Sequence, residues 1–193
     1  MDVVSFFLMF VKRGDPYMLV VSMIGVKMGD RVVQIGCAHG GRLGAIAVKV
    51  GLSGHAAVIV PDEAAAARAR KGAAEAGALV DVDIAPPTRL PGKDAAFDLA
   101  VIDDTGGLVA AMRAADRVAT LREALRVLRP GGRAIAIGTA PRGGLGALFT
   151  RAQSDPGFDA TAALQAGGFK SVRLLAEREG LVFTEGIKAR EAG

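Results

Sequence analysis

The sequence is poor in cysteine and histidine. Its 193 residues include one cysteine, Cys37, and two histidines. A single cysteine cannot form an internal disulfide, so nothing in the chain requires an oxidising compartment, and we predict a reducing, cytoplasmic location. No Cys/His cluster has the spacing of zinc ligands, and we predict no metal site of that kind.

Tryptophan is absent, and aromatic residues make up only 5% of the chain. This composition disfavours a stacking platform for single-stranded nucleic acid. The 24 Lys+Arg and 20 Asp+Glu residues leave a net charge of +4. These charges are scattered without a dense basic run, which is typical of a solvated surface. We therefore predict no nucleic-acid partner.

Long apolar runs are also missing. The apolar stretch over 3–11 has no basic leading region, is closed by Lys12 and Arg13, and is too short to span a bilayer. We predict no signal peptide and no integral membrane association. Either a short helix that caps the core or a membrane-surface or dimer contact explains this stretch, and the second alternative includes a homodimer formed through it.

Hydrophobic residues, in contrast, make up 51% of the chain, and glycine is abundant with 26 residues. This length supports one sizeable core and is too short to make two domains the default. We predict a single domain over 1–193, with an apolar N-terminal segment at 1–15 and a core at 16–188. Strand-like runs alternate with helical ones between Gly, Pro or Asp, which predicts an α/β fold with a mostly parallel sheet covered by helices on both faces.

The apolar periodicity places the individual elements. It predicts strands at 32–35, 56–60, 80–84, 99–102, 134–137, 171–175 and 181–186, and helices near 17–26, 42–50, 62–76, 116–128 and 159–166. Asp62 has the position of an N-cap, and Gly77 the position of a left-handed helix end. Leu128 and the Arg-Pro-Gly-Gly that follows it are predicted to end a helix and reverse the chain.

Four segments together resemble the class I S-adenosylmethionine-dependent methyltransferases, over about residues 16–188. The stretch GDRVVQIGCAHG at 29–40 is similar to the family's strand and glycine-rich loop. FDLAVI at 97–102 and LREALRVLRPGGR at 121–133 are similar to its fourth strand, fifth helix and fifth strand. The tail, LQAGGFKSV at 164–172 with GLVF at 180–183, resembles the ubiquinone/menaquinone-biosynthesis methyltransferase branch. The resemblance implies a Rossmann-like seven-stranded fold and S-adenosylmethionine as cofactor.

The resemblance also implies a cofactor site, in which several positions depart from the family pattern. Gln34 stands where an acidic residue usually ends the first strand, and Ala38 replaces the middle glycine of the loop. Val60 stands where an acid would bond the ribose hydroxyls, although a slip of two residues would offer Asp62. Pro86 falls at the acid near adenine, with Asp81 and Asp83 close by. The implied cofactor-binding residues are Gln34, Gly36, Cys37, Ala38, His39, Gly40, Val60, Pro61, Asp62 and Asp103.

Asp103 and Asp104 are the candidate catalytic residues. They follow the fourth strand, at the sheet edge where open α/β proteins build their sites. Either carboxylate can act as a general base if its pKa is raised, a carboxylate pair can hold a metal ion, and either can instead cap the next turn. His39 in the glycine-rich loop is open to a base or a non-catalytic role. Cys37 has no activating partner, so we predict a buried apolar role.

Two hypotheses for function follow. The first is an S-adenosylmethionine-dependent methyltransferase that acts on a small molecule by orientation and desolvation. The alternative is a methyltransferase-like binding or scaffold protein that has lost the cofactor. This alternative is favoured by Gln34, Val60 and Pro86, which stand where the family usually has acidic residues. Nicotinamide binding fits less well, because residues 36–41 do not form the G-x-G-x-x-G pattern.

Overall fold

The computed structural model describes residues 17–140 and 159–190. The predicted apolar N-terminal segment, and with it the predicted dimer contact, lies outside them. The strands are β1 (Arg31–Ile35), β2 (His55–Val60), β3 (Asp81–Ile84), β4 (Phe97–Asp103), β5 (Leu128–Thr139), β6 (Lys170–Arg178) and β7 (Leu181–Ile187). The helices are α1 (Met18–Ile24), α2 (Gly40–Val50), α3 (Glu63–Ala76), α4 (Ala114–Val127) and α5 (Ala160–Ala166).

The strands form one seven-stranded sheet in the order β3-β2-β1-β4-β5-β7-β6. The first five strands pair in parallel, whereas β7 runs antiparallel to both of its neighbours, β5 and β6. The predicted mostly parallel α/β sheet is confirmed. Because carboxyl ends of parallel strands share an edge, Ile35, Val60 and Asp103 end on the same side of the sheet.

Successive side chains of the central strands point to opposite faces of the sheet, and both faces are covered. On one face, Val33 and Ile35 join a core cluster with Leu121 of α4. On the other, Val32 packs with residues of α1 and α2, including Ile24 and Ile46. No helix among the described residues combines the length and apolar character needed to cross a membrane.

The two predicted signals at the ends of α3 are both confirmed. The Asp62 carboxylate accepts a hydrogen bond from the Ala65 N–H at 2.8 Å, so it caps the helix N-terminus. At the other end Gly77 has φ +65°, the left-handed conformation that glycine adopts at little cost. Asp62 therefore has a structural role whether or not it also meets a ligand.

The predicted helix end at Leu128 is confirmed, since Leu128 is the C-cap of α4, but the strand that follows begins earlier than predicted. Helix α4 ends at Val127, and β5 begins at Leu128 rather than near 134. Leu128 pairs with Phe97, and the register shifts before Arg133 pairs with Leu99. The backbone of Gly131 and Gly132 exchanges hydrogen bonds with Lys188, after β7. The early start of β5 depends on pairing with neighbouring strands, which a local sequence signal does not contain.

Candidate cofactor and active site

Gly36 begins the loop between β1 and α2. Its N–H donates to the Ile59 carbonyl at 2.8 Å, and its φ of +82° lies in the left-handed region. A Cβ at this position would lie 2.9 Å from the carbonyl oxygen of Asp103 and 2.9 Å from Leu108 Cδ2. Glycine is thus required both for the turn and for the close approach of β4.

Gln34, at the base of this loop, is fully buried. Its side-chain Nε2 donates to the Gly36 carbonyl at 2.8 Å, which ties β1 to the first residue of the loop. A carboxylate cannot donate this hydrogen bond, so the contact with Gly36 requires an amide side chain at this position. The other amide atom, Oε1, is buried without a partner among the described residues. Gln34 thus offers one unused acceptor.

Asp103, at the end of β4, is bound by several donors of the protein itself. Its carboxylate accepts from the Ala38 N–H at 3.1 Å and from Arg42 Nη1 at 2.8 Å. The Thr105 hydroxyl donates to it at 2.7 Å, and the Thr105 N–H at 3.3 Å. Arg42 and Asp103 form an ion pair with side chains 7% and 0% exposed. These contacts give Asp103 a positioning role between the loop and β4, and its catalytic role stays a prediction.

Asp104, the next residue, caps the turn that follows β4. Its Oδ1 accepts from the N–H groups of Val109 at 2.6 Å and Ala110 at 3.2 Å. Burial, the largest influence, and the neighbouring Asp103 raise the pKa of Asp104 above its ordinary value, although the two backbone hydrogen bonds and Arg117 act in the opposite direction. Asp104 is thus a capping residue, and its action as a base stays a prediction.

The other loop residues lie in different environments. Cys37 is buried, as predicted, and His39 is exposed at the N-cap of α2 without a side-chain capping bond. Gly40 contacts α3 so closely that a Cβ would lie 2.3 Å from the Arg68 carbonyl oxygen. The Arg68 Nε in turn donates to the Cys37 carbonyl at 3.3 Å. The structure therefore brings Gln34, Gly36, Ala38 and Asp103 together and turns His39 to solvent.

The environment of Cys37 makes a prediction about its reactivity. Burial, together with the Asp103 carboxylate, raises the pKa of the Cys37 thiol to about 11. Since only the thiolate reacts, we expect iodoacetamide at pH 8 to modify the folded protein at least about 100-fold more slowly than the urea-unfolded protein. Intact-mass spectrometry measures this rate at the only cysteine of the chain. Equal rates in the folded and unfolded states would contradict it.

The residues that the resemblance implies at the ribose end of the cofactor differ in how exposed they are. The Val60 side chain is 0% exposed and packs in a cluster with Cys37, Leu43 and Val58. Its carbonyl already accepts from the Ala85 N–H at 3.0 Å. The Val60 side chain cannot accept a hydrogen bond from the ribose hydroxyls, and a contact of Val60 with the cofactor stays a prediction. Pro61 and Asp62 are exposed, as are Pro86, Asp81 and Asp83.

Arg42 and Thr105 are site residues that sequence reasoning missed. Arg42 lies on the same face of α2 as Ile46 and Val50, at positions i, i+4 and i+8, and all three are buried. Helical periodicity therefore contained a signal, because an arginine at a core position requires a buried partner. That the partner is Asp103, distant in sequence, is visible only in the fold.

S-adenosylmethionine, the cofactor that the resemblance implies, fits the amino-acid end of this site. Gln34 Oε1 is a buried acceptor without a partner among the described residues, the complement of an ammonium donor. Gln34 and the backbone of residues 36–39 would hold that end. At the ribose end, Asp62 is the exposed carboxylate, and its Oδ2 has no hydrogen bond within the described residues. Asp62 would be the carboxylate available to the ribose hydroxyls.

Metal binding has no support in this part of the chain. Among residues 17–140 and 159–190, no three His, Cys, Asp or Glu side chains are grouped closely enough to hold a metal ion. The Asp103 carboxylate accepts hydrogen bonds from Arg42 and Thr105. The Asp104 carboxylate accepts from backbone N–H groups.

Solved structures with the same fold have low sequence identity to this chain. An S-adenosylmethionine-dependent methyltransferase from Aquifex aeolicus is similar with a TM-score of 0.70 and 18% identity over 89% of each chain. One from Methanosarcina mazei has a TM-score of 0.62 and 18% identity over 92% of this chain and 100% of its own. The [4+2]-cyclase SpnF has a TM-score of 0.61 and 19% identity over 90% and 80%. A fold shared with a cyclase does not settle the reaction.

Sequence comparison assigns the family. No curated protein matches the chain significantly. The methyltransferase domain family matches residues 32–132, from the second residue of β1 to the start of β5, including α2, α3 and α4. Together with the structural neighbours, this match supports S-adenosylmethionine as the cofactor and favours the methyltransferase hypothesis over the scaffold alternative. Since the match covers more than half of the 193 residues, this chain belongs to the methyltransferase domain family.

Proposed function

We propose that this chain is an S-adenosylmethionine-dependent methyltransferase acting on a small molecule. The observation that carries the proposal is Gln34, whose amide orders the loop through Gly36 and keeps one buried acceptor unused at the carboxyl edge of β1. The cofactor, when bound, supplies an electrophilic methyl group on its sulfonium. The Arg42–Asp103 pair holds α2 against β4, and the Ala38 N–H bond to Asp103 holds the loop there, which favours catalysis by orientation.

Asp104 is the residue we propose to accept a proton from the methyl acceptor. Its raised pKa brings the carboxylate closer to a useful basicity near neutral pH, and it directly follows β4. For the class of acceptor, the tail at 164–172 and 180–183 resembles the ubiquinone/menaquinone branch, so quinone-type ring compounds are the first acceptors to screen. A single domain and a cytoplasmic location complete the proposal.

Calorimetric titration with S-adenosylmethionine and S-adenosylhomocysteine tests the proposal, after bound ligand has been removed. We expect a dissociation constant in the micromolar range, about −8 kcal/mol. Replacing Gln34 by alanine removes the loop hydrogen bond and the unused acceptor, and is expected to weaken binding by about tenfold. Gln165→Ala, at an exposed position of α5, is the matched control and should bind like the wild type.

The melting temperature distinguishes a loss of binding from a loss of folding. The bound cofactor should raise the melting temperature of the wild type and of Gln165→Ala, and raise that of Gln34→Ala less. No heat at millimolar ligand, with an unchanged melting temperature for the wild type, would overturn the proposal.

A further inference from the structure

A cleft of about 440 Å³ lies between the C-terminal ends of α2 and α3. It is at the amino edge of the parallel strands, near His55 at the start of β2 and Asp81 at the start of β3. The loop at 36–39 lies at the opposite, carboxyl edge. Small residues leave the space open, namely Ala47, Gly51, Ala56, Ala76, Gly77 and Ala78. Its volume is within the range of small-molecule sites.

The rim of this cleft carries large apolar side chains that are turned to solvent. Leu52 is 90% exposed, Leu79 is 79% exposed and Val48 is 55% exposed. Leu52 and Leu79 belong to different connections, α2 to β2 and α3 to β3, yet both line the same cleft. Exposed apolar groups that converge on one concavity indicate a ligand surface more strongly than scattered ones do.

The electrostatics of the cleft favour a positive ligand. Both helices end at it, with Gly51 and Gly77 as C-caps, so the negative ends of their dipoles converge there. Asp81 adds a carboxylate that is 72% exposed and lies 3.7 Å from His55 Nε2. Glu75, in the last turn of α3, is paired with Lys71 at 3.8 Å and does not line the cleft. Lys49, in the last turn of α2, does not line the cleft.

We propose that this cleft binds a small organic cation with an apolar body. The alkyl or aryl part of the ligand contacts Leu52, Leu79 and Val48, while its ammonium group faces Asp81 and the carbonyl ends of the two helices. The site is separate from the loop at 36–39 and does not depend on the methyltransferase proposal. Its occupant and the cofactor bind independently.

Three probes of matched length test the charge requirement: hexylammonium, hexanol and hexanoate. Amide chemical shifts of the ¹⁵N-labelled protein report where each probe binds. We expect hexylammonium to perturb residues 48–56 and 76–81 with a dissociation constant of about 1 mM. Hexanol should bind at least about threefold more weakly, hexanoate should bind least, and added salt should weaken only the cation.

Variants at neighbouring positions identify the group that recognises the charge. Asp81→Asn should abolish the preference for hexylammonium over hexanol. Asp83→Asn is the matched control, an exposed aspartate on the same strand that does not line the cleft, and it should keep the preference. Leu79→Ser should weaken both probes. Neither aspartate is buried, so the folded state should survive these changes.

The proposal is overturned if the three probes bind equally, or if the shifts lie outside the cleft. It is also overturned if about 50 mM hexylammonium causes no shift, or if both aspartate variants have the same effect. Saturating S-adenosylhomocysteine should leave hexylammonium binding unchanged, and competition between the two would contradict the separation of the sites.

Discussion

Replacing Arg42 by methionine is expected to lower the free energy of unfolding by about 3–5 kcal/mol. The substitution keeps an apolar side chain on the buried face of α2 but leaves the carboxylate of Asp103 without its charged partner in the core. Thr105 and Ala38, which also donate to this carboxylate, do not compensate the charge. Urea unfolding followed by circular dichroism measures the change.

Two further variants separate loss of the ion pair from loss of packing. Adding Asp103→Asn to Arg42→Met removes the unpaired charge and should recover a large part of the lost stability, as expected for coupled residues. Arg113→Met breaks the exposed Arg113–Asp116 pair and should leave the unfolding midpoint almost unchanged. If Arg42→Met were as stable as Arg113→Met, the buried pair between α2 and β4 would not contribute to stability.

Replacing Gly72 by alanine is expected to destabilise the protein by about 3 kcal/mol or more. Gly72 is inside α3, where helix propensity alone predicts a gain of about 1 kcal/mol. In the structure, however, a Cβ at Gly72 would lie 2.1 Å from the carbonyl carbon and oxygen of Gly40. The clash is with backbone, so α2 and α3 must separate. Thermal or urea unfolding decides between the two opposite signs.

Gly138→Ala is the control for Gly72→Ala. Gly138 is in β5, and a Cβ there would meet no atom within 4 Å, so its effect should stay below about 1 kcal/mol. Because Gly40 begins α2 directly after the loop, Gly72→Ala should also weaken binding of S-adenosylhomocysteine. A Gly72→Ala protein that is more stable than the wild type would show that α2 and α3 do not approach so closely.

The elements that sequence analysis predicted well are those with local causes. Apolar runs bounded by glycine, proline or aspartate placed all seven strands. The signal is strongest for β1, β2 and β4, because these central parallel strands are buried along most of their length. Asp62 and Gly77 were assigned correctly because caps depend on the residue itself and on its neighbours within one turn. The burial of Cys37 also followed from its residue type and its lack of an activating partner.

The sequence by itself determined the order of strands and helices, the glycine-rich loop and the family. Tertiary structure alone decided that Gln34 donates to Gly36, that Asp103 is paired with Arg42, and that Val60 is turned into the core. It also decided that the ends of α2 and α3 enclose a cleft. Such contacts join residues far apart in the chain or depend on which atom of a side chain faces a partner. The local periodicity of a sequence indicates whether a position is buried, but not which residue its side chain contacts.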